Sequence, residues 1–230
     1  MKCLRSRLPF GTSNGGFRIT TALFQPRPRM TWQMTFREQE IVAPSGLKTP
    51  EFILRPITAH DAELDYEAAM ESREFLRKWE QSTWPEDDFT VEANRDDLLR
   101  AERRHADGES FTYTVLNPDQ SVCLGCVYVV SPGGSWLADA RVTAVGEDQW
   151  SDCDAVFLFW VRKSRLAEDM DRSLLDSLLR WFEQEWSVEA PVVMTNEQFD
   201  QQVAMIEGIG LRRRFEVRLP RDPGTYLAYA

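Results

Sequence analysis

Apolar residues along the chain switch between two spacings. Over 52–58, "FILRPIT" is a short apolar run stopped by Pro56, which reads as a strand. Thr58 then opens "TAHD", with Asp61 in the N3 position of a capping box. Leu64, Ala68, Phe75, Leu76 and Trp79 follow at helical spacing, predicting a helix or a bent pair of helices over 59–79. After the loop "STWPEDD", Thr90 caps a second helix to about Ala106, with Leu98 and Leu99 inward. "SFTYTVLN" alternates, so it reads as a strand with one wet face, and "NPDQ" (117–120) turns it into the longer strand "SVCLGCVYVVS". "ADARVTAVG" is a further candidate strand.

The run "DAVFLFWV" (154–161) is apolar almost throughout, as expected for a central strand covered on both faces. A helix from about Met170 to Trp186 carries the stripe Met170, Leu174, Leu175, Leu178, Trp181, Phe182, Trp186. "PVVMT" (191–195) is a buried strand, and 196–210 is a helix with Asn196 near its N-cap and glycines at its end. "LRRRFEVRLP" and "GTYLAYA" complete the strands. A meander joined to βαβ units predicts an α/β (α+β mixed) fold, a mixed sheet with helices on both faces.

Charge divides the chain. Residues 1–37 hold seven basic residues and no acid, against 37 acids and 20 bases in the remainder, for a net charge of −10. The basic stretch, with "GTSNGG" and "QPRPR", shows no sustained periodicity. It reads as a disordered extension, with the boundary of the folded domain (49–230) placed after residue 48. An Arg-rich, acid-free start fits an organelle transit peptide, and it fits equally an extension upstream of a true start at Met30 or Met34. The acidic balance argues against a nucleic-acid partner. No window approaches the ~18 apolar residues of a membrane span, and a cytoplasmic location is expected.

Four cysteines in 230 residues suggest no disulfide framework. "CLGC" (123–126) runs into a strand, where a spacing of three sends Cys123 and Cys126 to opposite faces. A metal site is not expected, because only Cys153, His60 and His105 remain as further Cys or His ligands beyond the tail. Both histidines fall on predicted helix surfaces.

Over about residues 50–219 the order resembles the GNAT acetyltransferase superfamily, closest to the branch that acetylates protein N-termini. Three stretches carry the resemblance: "FILRPITAHDAELDYEA", "FTYTVLNPDQSVCLGCVYV" and "FWVRKS…LLDSLLRWF…MTNEQ…GIGLRRRF". It implies a central, mostly antiparallel sheet in which the 155–161 strand splays from its neighbour. The pantetheine of acetyl-CoA would lie in that gap, along Phe159 and Val161. The pyrophosphate would sit at the start of the next helix, among Arg162, Arg165, Leu166, Ala167, Asp169, Met170, Asp171 and Arg172. The family's Arg/Gln-x-x-Gly-x-Gly/Ala motif falls here on Leu166, Asp169 and Asp171, so its glycines are replaced by acids. Asp169, Asp171 and Glu168 also suit a helix first turn by charge alone.

The implied activity is acetyl-CoA-dependent transfer of an acetyl group to an amine of a small molecule or peptide. Its alternative is a degenerate GNAT-like binding module that does not use acetyl-CoA. Transfer requires a base, for which Asp154 or the acids Glu147, Asp148 and Asp152 are candidates. Asn196 is a candidate for bonding pantetheine or a water. The family's frequent tyrosine acid falls on Ile206. Trp79, Trp84 and Trp136 lie near segments that shape the acceptor groove. A homodimer is a further expectation.

Overall fold

The computed structural model describes residues 36 and 38–230. Nine strands form one sheet in the order β1-β2-β3-β4-β6-β7-β9-β8-β5. They are β1 Leu47–Lys48, β2 Ile53–Pro56, β3 Ser110–Leu116, β4 Cys123–Val130, β5 Arg141–Ala144, β6 Ala155–Val161, β7 Pro191–Asn196, β8 Arg213–Arg218 and β9 Thr225–Tyr229. Only β6 and β7 run parallel; every other pair is antiparallel. The apolar run 155–161 occupies the middle of the sheet, buried along its whole length.

One face of the sheet carries α1 (Ala62–Glu71), α2 (Arg73–Glu80) and α3 (Val91–Ala106). The other carries α4 (Met170–Glu185) and α5 (Asp200–Gly208). All seven residues of the predicted stripe on α4 are buried. The predicted bent pair is two helices joined at Ser72, whose backbone N–H still reaches Ala68 O. Thr90 caps α3 by accepting from Ala93 N. Asp61 accepts from Thr58 N at 2.9 Å, as the capping box requires, and also takes both Arg55 guanidinium arms. Burial pushes its carboxyl up, but Arg55 and Thr58 outweigh this and hold it low.

Several sequence expectations are corrected. β3 has no wet face: Thr112 and Thr114 are fully buried under the helices. Leu99 points outward while Leu98 is buried. Cys123 and Cys126 share one face, because the β3–β4 ladder shifts register near Gly125, where φ is +153°. A bulge adds one residue, and period two then returns the side chain to the same face. His105 is not a surface group; its ring packs on Phe111 and Tyr113 and its Nδ1 accepts from Thr112 N. The folded unit also begins before residue 48. Phe36 is fully buried and stacks on Phe111, and Tyr113 donates its hydroxyl to Pro44 O. Residues 1–35, on which the disordered-extension expectation mainly falls, lie outside the described residues.

Candidate functional site

The parallel pair at the sheet centre does not stay closed. Its ladder joins Ala155–Pro191, Val156–Val192 and Phe157–Val193, and ends there. β6 runs four residues further against β4 alone, while β7 continues against β9. Arg162 N donates to Leu124 O, so by strand alternation the backbone groups of Leu158 and Trp160 also face β4. Those of Phe159 and Val161 therefore face away, into the wedge between β6 and β7. Gln202 of α5 reaches this edge, donating Nε2 to Phe159 O at 3.2 Å. Thr195 of β7 holds the same side chain through Oγ1 to Gln202 Oε1 at 2.6 Å. Both are buried.

β6 leads into a 3₁₀ turn (Lys163–Glu168) and then into α4. Asp169 joins the two in a left-handed conformation, φ +54° and ψ +27°. Glycine adopts this most cheaply, and Asp is among the few other residues that tolerate it. Three donors of this connection, Arg162 Nε, Lys163 N and Ser164 N, are engaged by Glu71 and Ser72. Glu71, the last residue of α1, accepts from Arg162 Nε at 2.6 Å and from Ser164 N at 3.1 Å. Lys163 N donates to Ser72 Oγ at 2.9 Å. At the helix start, Asp171 Oδ1 accepts from Arg172 N at 3.0 Å, and Gln201 Nε2 approaches its other oxygen at 3.3 Å. Burial pushes the Asp171 carboxyl up; that of Glu71 sits low, because Ser164 and Arg162 outweigh its desolvation. Arg165 bonds Glu168 and Arg172 pairs with Asp176, both at the surface.

No family model and no curated protein matches the chain by sequence. Solved structures match about four fifths of it by fold. One is the ribosomal L7/L12 alpha-N-protein acetyltransferase RimL in complex with coenzyme A, at 12% identity and a TM-score of 0.58, covering 82% of this chain and 96% of that one. Another is the microcin C7 self-immunity acetyltransferase MccE in complex with acetyl-CoA and AMP, at 12% identity and 0.60, covering 81% and 96%. A third, described as a GnaT-family acetyltransferase from Bordetella pertussis, matches at 15% and 0.52, covering 81% and 98%. The fold is that of the GNAT acetyltransferases.

Within the GNAT fold the expected site residues separate into two groups. Phe159, Val161, Arg162, Leu166, Ala167, Asp169, Met170 and Asp171 form one continuous path from the wedge to the start of α4, with Arg165 and Arg172 on its outer side. Asp154 and Asn196 do not join them. Asp154 precedes β6 at the end away from the splay, and its two oxygens accept from Glu189 N and Ala190 N. It fixes the entry to β7. Asn196 ends β7 instead of capping α5, which begins at Asp200. Its amide donates to Lys78 O and Trp79 O, both at 2.6 Å, and accepts from Gln198 N. It fastens the C-terminus of α2 to the sheet.

Trp79 and Trp84 are buried on the α1–α3 face, each with an indole N–H that has no partner. Trp79 packs on Tyr128, whose hydroxyl accepts from Trp160 Nε1. Trp136 lies apart, beneath Arg221 and beside Tyr226. Ile206 is fully buried. Sequence reading missed Glu71, Ser72 and Gln202. Glu71 and Ser72 act across more than 90 residues, with no local signal. Gln202 did leave one: it stands four residues before Ile206, on the inner side of α5.

Proposed function

We propose that the chain is an N-acyltransferase taking its acyl group from a pantetheine thioester such as acetyl-CoA and passing it to an amine of a small molecule or peptide. The observation that carries this is the end of the β6–β7 ladder at Phe157, which leaves the Phe159 and Val161 backbone edge facing a wedge. An extended arm bearing amides is the complement of such an edge, as an added strand would be. When bound, the thioester supplies the electrophilic carbon. The chain's part is to align the arm, to polarise the carbonyl with a strand N–H, and to keep water away with the apolar residues of β6. Gln202 yields Phe159 O or bridges to the arm through its amide. Asp154 and Asn196 hold the scaffold in this reading. RimL in complex with coenzyme A and MccE in complex with acetyl-CoA, both acetyltransferases, support the assignment through fold.

The diphosphate of coenzyme A fits less well. Arg162 Nε, Ser164 N and Arg172 N along the turn are held by Glu71 and Asp171, and we derive no step through it. This same occupancy favours a second reading, a GNAT-fold binding module that has stopped using acetyl-CoA. Thermal melting separates the two. A ligand at a hundredfold excess over Kd stabilises by about 2.7 kcal/mol, so a clear rise in Tm with acetyl-CoA or acetyl-pantetheine is expected. No shift with either, nor with longer acyl-CoAs, leaves the binding-module reading.

A further inference from the structure

The turn after β6 is an anion site whose anion belongs to the chain. The Glu71 carboxylate is bound as a phosphate oxygen pair would be: one oxygen by a backbone N–H, the other by a guanidinium N–H. The contact joins α1 to the turn across 91 and 93 residues. Arg162 is only 17% exposed in its side chain and Glu71 33%, so the pair is partly sheltered from solvent. Ser72, next in sequence, ties down the N–H between them. A diphosphate arriving here meets a carboxylate already holding Arg162 Nε and Ser164 N, and Asp171 at the helix start adds a second, holding Arg172 N.

We infer that Glu71 is a specificity-determining residue that occupies the diphosphate end of the donor site and makes the chain indifferent to whether a pantetheine donor carries the nucleotide. The inference rests on the acyltransferase reading above. The wedge recognises the pantetheine arm, and the turn, liganded by Glu71, adds nothing for the 3′-phospho-ADP portion of coenzyme A. The donor class that follows is any acylated pantetheine, free or attached to a larger carrier.

The test is calorimetric titration of the full chain with coenzyme A and with pantetheine, in the wild type and in Glu71→Gln. Glutamine keeps the shape and removes the charge. Glu71→Ala serves as a second variant, and circular dichroism checks that both fold. The wild type is expected to bind the two ligands within about threefold of each other. Glu71→Gln should leave pantetheine binding as it was and tighten coenzyme A by about tenfold, the order of one freed charge-assisted contact. Wild-type binding of coenzyme A a hundredfold tighter than pantetheine would overturn the inference while supporting the donor site. Unchanged coenzyme A affinity in both variants, with pantetheine bound, overturns it too. If neither ligand binds any of the three proteins, the acyltransferase reading falls and the inference with it.

Discussion

Gly125 stands where the backbone of β6 passes close to β4. A Cβ added there would lie 2.1 Å from Trp160 O, and φ is +153°. The bulge it permits puts Cys123 and Cys126 on one face, where Cys126 donates its thiol to Asp65 at 3.3 Å. Gly125→Ala should destabilise by more than about 2 kcal/mol, read as a lower midpoint in urea. Asp65 itself is a fully buried carboxyl bonded by Asn94 and Cys126. Burial pushes its pKa up. A raised folded pKa means that the proton is held more tightly in the folded state. The stability it supports is whole below the ordinary carboxylate range and is lost as pH rises through the folded value. Asp171 and Asp222 shift the same way, and Asp61 and Glu71 the opposite way, so the wild-type profile mixes them. The difference between Asp65→Asn and wild type isolates the one group. The variant's relative Tm should improve steadily from about pH 4 to neutral; a constant difference would show that Asp65 does not titrate in this range.

At the scale of elements, the wedge depends on what is fastened to β7. Asn196 gives both amide protons to the last carbonyls of α2, and Gln202 gives α5 a hold on β6. Asn196→Ala removes the donor to the buried Trp79 O, while Lys78 O keeps Gln81 N, at a cost of about 1–3 kcal/mol. Hydrogen exchange should rise over 73–84 more than over α4; even acceleration across both helices would mean that the clamp is not local. The strands other than β1, together with α3 and α4, were legible from period, since a stripe such as Leu174, Leu178, Trp181 admits one helix face and "AVFLFWV" one place in a sheet. The covered face of β3 was not, because Thr112 and Thr114 are polar by sequence and their burial follows from α3 lying over them. The candidate site was legible only as an order of elements: Phe159 to Arg172 were named from the strand–turn–helix sequence, and the left-handed backbone of Asp169 could not be read there. Asp154 and Asn196 were named for their place near strand ends, and only the fold shows which backbone groups lie opposite them, amides for Asp154 and carbonyls for Asn196.

Across the whole molecule, the sheet joins an acidic chain of net charge −10 into one layered unit from Phe36 onward. No helix among the described residues is long and apolar enough to cross a membrane. Such a charge suits a cationic amine by attraction, and it predicts that turnover with a cationic acceptor falls as salt rises; a rate independent of ionic strength would remove charge from the account of acceptor choice. The two edges of the sheet are short, β1 with two residues and β5 with four, and sedimentation at several concentrations would show whether β5 pairs with a second copy. The central claim is that the freed edge of β6 receives the acyl donor. Amide NMR on protein labelled at phenylalanine and valine, titrated with acetyl-pantetheine, tests it directly. The account predicts that the Phe159 and Val161 amides shift first and furthest, with Phe157, inside the closed ladder, nearly still. Binding that leaves Phe159 and Val161 unmoved, or no binding at millimolar donor, would contradict it.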